Sequence, residues 1–501
     1  MAVLKKAFFS ILLAGLGVCI FAQESKKSDF TVENGVLIKY NGFSSHVEIP
    51  YNVTAIGEEA FSECSYLISI IIPKSVTAIG KDAFHSCRSL TSITIPNSVT
   101  TIGEGAFAGC HDLTSIIIPN SVTTIGEGAF ADCYDLTSIT ILNGVTTIGE
   151  NAFAGCLRLT AITIPNSVTT IGEEAFYHCE SLTSITISNG VTAIGEQAFF
   201  GCKSLKSITI PKSVTAIGKE AFTGCSSLQE FIVDKDNKKY ASVNGVLFNK
   251  EKTTLISFPK SKSGSYTIPA SVTIIGERAF YNCYRVKSIT IPESVTTIGR
   301  WAFIYCYDLT SVTISNGVTT IGRDAFYDCS SLTSITIPGS VTTIGEEAFA
   351  GCDSLTSITI PGSVTAIADN TFAACRRLTS VTISNGVTTI GRDAFYDCRS
   401  LTSITIPNNV NYIDKNAFSG CRSLTSITIP DSVTTIGEKA FAGCRNLTSV
   451  TITTSVTYIG KDPFIDCSDL KQITIVKSKN NKDVSYLKEN LRQYKNKLIF
   501  Q

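Results

Sequence analysis

Cysteine, histidine, the carboxylates and threonine are the side chains whose number or spacing bears on chemistry in this 501-residue chain. Seventeen of the eighteen cysteines fall in two series, at 64, 87, 110, 133, 156, 179, 202 and 225, then at 283, 306, 329, 352, 375, 398, 421, 444 and 467. Each step is 23 residues. In an exported chain so many thiols first suggest disulfides. One thiol per repeat, however, sets neighbours a strand spacing apart with nearly parallel Cβ vectors. A bridge needs Cβ atoms about 3.8 Å apart and a torsion near ~90°. A reduced, buried ladder is therefore expected, each Cys packing as a small hydrophobe. Metal ligation fits no better: Cys-x-x-Cys is absent, and His85, His111 and His178 lie near a Cys at differing offsets.

Acid–base and nucleophilic chemistry find equally little material. There are four histidines, His46, His85, His111 and His178. Acidic pairs such as Glu58-Glu59 and Glu173-Glu174 recur in many repeats, as a solvated edge would. Gly-x-Ser-x-Gly, His-Glu-x-x-His and phosphate-cradling glycine loops are absent, so no catalytic residue and no cofactor or metal is expected. The 42 Lys+Arg balance 42 Asp+Glu, and no basic run stands out. Nucleic acid and anionic membrane surfaces both need clustered cations, so neither is an expected partner.

The elements that carry these residues follow from the period. In residues 88–110, Leu90, Ile93 and Ile95 alternate as on a strand with one buried face. Pro96 ends that strand, having no N–H for a ladder. Val99 and Ile102 predict a second short extended segment, and Gly103 a turn at positive φ. Ala106, Phe107 and Cys110 fit a compact helical turn that closes the coil. Phe stands three residues before every one of the seventeen periodic cysteines. One such coil cannot bury enough apolar surface to fold alone, so the coils must stack into a solenoid.

The pattern Cys-x-x-Leu-x-x-Ile-x-Ile-Pro-x-Ser-Val-x-x-Ile-Gly-x-x-Ala-Phe resembles the BspA-like class of bacterial surface leucine-rich repeats. The resemblance covers nearly all of residues 30–475. It implies a β-rich leucine-rich-repeat solenoid of about seventeen 23-residue coils, each a short strand plus turn or 3-10 segments. It also implies a secreted or cell-surface protein linked to adhesion. Ala368 and Asp414 replace the turn glycine; strain is expected at Ala368.

Six segments are expected. Residues 1–22 read as a signal peptide: Lys5 and Lys6, an apolar run from Ala7 to Phe21, and cleavage near Ala22. A lipoprotein anchor at Cys19 is the alternative, with Val18 poorly suited to it. An amino-terminal cap spans 23–50, a first repeat array 51–228, an insert 229–270, a second array 271–475 and a carboxyl-terminal helical cap 476–501. In the insert, Val243-Asn244-Gly245-Val246-Leu247 echoes Val32 to Leu37, and Asn-Gly favours a tight turn. A hairpin protruding from the stack is expected there. No later segment is long and apolar enough for a membrane span.

Threonine supplies the candidate site. On the main strand, Ser92 and Thr94 point away from the core. The column of Thr94 is Thr in fourteen of seventeen coils, with Ile71, Ile117 and Ile232 the exceptions. The candidate face comprises Ser92, Thr94, Thr140, Thr163, Thr186, Thr209, Thr290, Thr313, Thr336, Thr359, Thr382, Thr405, Thr428 and Thr451. Strand propensity alone also favours Thr there. The expected function is a non-enzymatic scaffold for a protein or glycan of a host or neighbouring cell. A self-associating surface component is the alternative. A hydrolase with its site in the insert rests only on Asp234, Asp236 and Glu251, which read as ordinary loop charges.

Overall fold

The computed structural model describes residues 26–478 and 483–501. The segment 1–22 expected to be a signal peptide, Cys19 within it and part of the expected carboxyl-terminal cap lie outside those residues. The chain forms two compact units, Met1–Cys202 with Ile217–Ala221, and Lys203–Ala216 with Phe222–Gln501.

In the first unit each 23-residue repeat is one coil. For residues 88–110 the main strand is Ser92–Thr94 and the second Thr101–Ile102. Leu90, Ile93, Ile95, Val99, Ile102, Ala106, Phe107 and Cys110 are all buried. Main strands stack in parallel and in register, as Ile162 on Ile185 and Thr163 on Thr186. Hydrogen bonds run both ways along the stack. The Gly103 N–H donates back to Ile79 O at 2.9 Å, while the Phe107 N–H donates forward to Ala129 O at 2.8 Å. Every coil is thus tied to both neighbours, and few main-chain polar groups are orphaned.

The closing segment is a run of separate turns rather than a helix. Ala108 N–H bonds Gly105 O at 2.9 Å, and Cys110 N–H bonds Phe107 O at 3.2 Å. The left-handed residues are not where the sequence placed them. Gly103 has no positive φ; Gly105 (φ 58) and Gly109 (φ 70) do. These columns precede Ala and Cys, and other coils fill them with residues such as Asp82, Asn151 or Asp132. Gly103 is small for another reason: a Cβ there would meet the Gly80 carbonyl carbon at 2.6 Å. The glycine column lets stacked backbones approach closely. Ala368 is likewise outside the left-handed residues, so the strain expected there does not arise.

Phenylalanine forms the axis of the core. Phe84 and Phe107 stack at 5.1 Å and 4°, and Phe176 on Phe199 at 5.4 Å and 1°. The column begins at the amino-terminal hairpin, Phe30–Glu33 and Val36–Tyr40, turned by Asn34 (φ 49) and Gly35 (φ 81). Tyr40 lies 5.1 Å from Phe61 and occupies the column's first place.

The second unit repeats this plan. Its phenylalanines stack from Phe258 on Phe280 (4.7 Å) to Phe441 on Phe464 (5.6 Å). Within the insert, Tyr240–Val243 pairs antiparallel with Val246–Asn249 around Asn244 (φ 50) and Gly245 (φ 76). Val246–Asn249 then pairs with Thr254–Ser257, which joins Ile274–Ile275 in parallel. This hairpin does not protrude. Val246, Leu247, Phe248 and Leu255 are each fully buried, because the hairpin is paired into the sheet of the second unit, which covers both of its faces at Val246–Phe248.

At the carboxyl end the expected long helix is shorter: Ser485–Asn490 is α-helical, Arg492–Lys497 is 3-10 and Leu498–Phe500 is a strand on Gln472–Val476. Leu487 and Leu491 are buried. The Tyr486 hydroxyl accepts the Ile459 N–H at 3.0 Å and the Tyr494 hydroxyl the Phe464 N–H at 3.3 Å. The cap therefore satisfies main-chain donors that would otherwise await a further coil.

Candidate binding face

Four threonine columns run along the repeats, one of them on the second strand as Thr101, Thr124 and Thr147, and their hydroxyls differ in use. In the first unit, Thr91, Thr114, Thr137, Thr160 and Thr183 precede the main strand. Each donates to a carbonyl one coil back, as Thr137 to Thr114 O and Thr183 to Thr160 O, both at 3.0 Å. Thr77, Thr100, Thr146 and Thr169 do the same before the second strand. These hydroxyls stitch the stack.

The main-strand column is the candidate face. In the first unit Ser92, Thr94, Thr140, Thr163 and Thr186 are exposed. In the second unit Thr209, Thr290, Thr313, Thr336, Thr359, Thr382, Thr405 and Thr428 are exposed, and Thr451 is half-buried. Thr336 and Thr405 fall just past the strands Ser334–Ile335 and Ser403–Ile404. Among the described residues none of these hydroxyls has a partner within the chain. Thr474, the next rung, is buried, and the Gln472 amide donates to it at 2.7 Å. In the first unit Ile71 and Ile117 interrupt the column, 62% and 61% exposed. The sequence shows these columns alike; only the stacking shows which hydroxyls are already engaged.

The insert carboxylates do not converge. Asp234 Oδ1 accepts the Asp236 N–H at 2.8 Å, and Glu251 accepts from the Asn249 amide at 3.2 Å. Asn237 is fully buried; its amide donates to Pro211 O and Val214 O, and its oxygen accepts the Lys239 and Tyr240 N–H groups. These contacts build the loop. Lys260 is the buried cation of the second unit, its Nζ 4.9 Å from the Tyr281 ring centre. Burial holds its ammonium below the ordinary lysine range, yet Nζ is closed to solvent and so to any substrate.

The periodic cysteines are all buried. Each Sγ from Cys87 to Cys202, and again from Cys306 to Cys467, lies 3.1–3.3 Å from the carbonyl of the Phe 26 residues earlier. A donor S–H is what that geometry requires. Burial pushes the thiols of Cys110, Cys133, Cys156 and Cys179 well up, and that of Cys375 to about 12. Neutral thiols of this kind are poor nucleophiles and poor metal ligands.

Parallel coils with one main strand, a second short strand and an inward Leu, Ile, Val, Phe and Cys set define a leucine-rich-repeat solenoid. The chain belongs to the family described as BspA type leucine rich repeat region (6 copies), which it matches over residues 38–160, 146–263, 252–378 and 365–490. It is similar to a leucine rich cell surface protein from Faecalibacterium prausnitzii A2-165: 32% identity over 72% of this chain and 94% of that one, with a TM-score of 0.57. A leucine-rich repeat protein from Eubacterium ventriosum is 30% identical over 70% and 82%, with a TM-score of 0.46. One from Bacteroides ovatus is 26% identical over 95% and 96%, with a TM-score of 0.38. No curated protein matches. Among the described residues no helix is long and apolar enough to cross a membrane.

Proposed function

We propose that this protein is an exported, non-enzymatic scaffold that binds a protein or glycan on a host or neighbouring cell through the exposed threonine column of its main strands. One observation carries the reading: these hydroxyls are unengaged within the chain and line the exposed face of the main strands, while the threonines that precede the main and second strands are spent on the stack. A ladder of like hydroxyls suits many weak, repeated contacts rather than one deep pocket. The family and its similarity to a bacterial cell surface protein support a binding role. Export rests on residues 1–22, and the insert 229–270 serves as an internal cap between two arrays.

The test is solid-phase binding of the mature chain to matrix proteins, mucins and glycans. Thr313, Thr336, Thr359 and Thr382 are changed together to Lys, with Thr320→Lys on the second strand as the control. The expected result is saturable binding that falls at least about tenfold in the first variant and not in the control. Binding unchanged by the four substitutions overturns the reading.

Self-association is the second reading, and one contact bears on it. The first main strand, His46–Glu48, has no strand before it in its sheet. There the Ser44 hydroxyl donates to His46 O at 2.6 Å and accepts the His46 N–H at 3.3 Å. Engaging those groups blunts the edge against a second copy. Sedimentation that stays monomeric over a wide concentration range supports the scaffold reading over assembly.

A further inference from the structure

In the second unit the residue after each cysteine varies, yet four successive coils carry arginine there: Arg376, Arg399, Arg422 and Arg445. All four are exposed. Guanidinium groups one coil apart repel unless an anion lies between them. For the first pair the protein supplies one. The Asp397 carboxylate is 3.4 Å from Arg376 Nε through one oxygen and 2.8 Å from Arg399 Nε through the other. Asp353 adds a contact to Arg376 at 2.9 Å.

Asp397 stands just before Cys398, at φ 57. One and two coils further on, the same place holds Gly420 (φ 78) and Gly443 (φ 66). Among the described residues Arg422 and Arg445 make no ion pair, and between the two the bridging place is held by Gly443, with Asp466 one coil further on. The missing side chains open a groove of about 510 Å³, lined by Arg422 and Arg445 together with Tyr396, Ser419, Asp466 and Ser468. The same ladder thus appears twice, once closed by its own carboxylate and once with glycine where that carboxylate would stand.

We propose that this groove binds an anionic sugar, a uronate carboxylate or a sulfate ester on a glycan chain, with Arg422 and Arg445 straddling the anion as Arg376 and Arg399 straddle Asp397. Paired guanidiniums match the oxygens of either anion. The walls favour a glycan over an acidic peptide. The Tyr396 ring, 46% exposed, offers a face to a pyranose, and Ser419, Ser468 and Asp466 suit hydroxyl groups. The inference deepens the scaffold reading by naming a partner class, at a place apart from the threonine column, so the two fail independently.

The test measures binding of the full mature chain to heparin oligosaccharides, oligogalacturonate, neutral dextran and polyglutamate. Two variants are compared, Arg422→Gln with Arg445→Gln, and Gly443→Asp. The second keeps both arginines and supplies the bridging carboxylate. Aspartate already occupies this column at Asp328, Asp397 and Asp466, at φ 55, 57 and 59, so the backbone accepts it. Binding to at least one charged glycan is expected, weakening with salt and falling about 100-fold in both variants. Thermal unfolding of the variants should stay unchanged, and the threonine-column variant should bind as the parent does. Charged-glycan affinity unaltered by Gly443→Asp, no binding to either charged glycan, or equally tight polyglutamate binding would each overturn the proposal.

Discussion

Replacing Phe326 by alanine removes one ring from the middle of the second unit's column. Phe326 is fully buried, stacked on Phe303 at 5.0 Å and 2° and on Phe349 at 5.3 Å and 3°. Truncating a buried Phe costs about 3–5 kcal/mol, through lost transfer energy and the cavity left behind. Two near-parallel ring contacts, each about 0.5–1.5 kcal/mol, place this site toward the upper end. The backbone ties survive, since the Phe326 N–H still reaches Ala348 O and the Cys352 thiol still reaches Phe326 O. The damage therefore stays in the side-chain column. In a solenoid stability is passed between neighbours, so opening should be local. Hydrogen exchange read by peptide is the assay. Peptides spanning residues 303–349 should lose protection by roughly two to four decades, at about 1.4 kcal/mol per decade. Peptides around Phe441, five coils away, should change little. Equal loss across every coil of the unit, or less than about a tenfold loss at Phe326, would refute nearest-neighbour stacking as the source of stability.

Two further outcomes test the thiols and the glycines. Burial raises the folded thiol of Cys375 to about 12, whereas an unfolded cysteine ionises near ~8.5. Its stabilising contribution is thus complete below that lower value and is lost as pH rises through the folded value, by about 1.4 kcal/mol per pH unit for each exposed thiol. Urea midpoints should fall between pH 9 and 10.5, less steeply in Cys375→Ala, and thiol reagents should react only after denaturation; a flat profile refutes the buried-thiol account. Gly126→Ala puts a Cβ 2.5 Å from the Gly103 carbonyl carbon, while Gly339→Ala meets nothing within 4 Å. Thermal unfolding should show clear destabilisation by the first, and a change between neutral and about 1 kcal/mol stabilising for the second.

The repeat itself determined much of this protein. A 23-residue period with alternating Leu and Ile, then Val, Ile, Ala, Phe and Cys, leaves only stacked coils as a way to bury every apolar side chain. Asn34-Gly35 and Asn244-Gly245 named their tight turns because few residues accept positive φ at two adjacent positions. The family pattern was equally legible, since it depends on residue types in order. What lay beyond the sequence is decided between coils. Gly103 is needed for the closeness of Gly80 in the coil before it, and no local rule for turns reveals that. Thr94 and Thr137 are the same residue, yet one hydroxyl is free and the other is spent on a carbonyl 23 residues back. The insert hairpin is buried because neighbouring strands stack over it. Arg422 and Arg445 differ from Arg376 and Arg399 through Asp397, which bridges the first two, and Asp353, which adds to Arg376. Chemistry that depends on one coil's side chain meeting the next coil's backbone or charge becomes visible only once the coils are stacked.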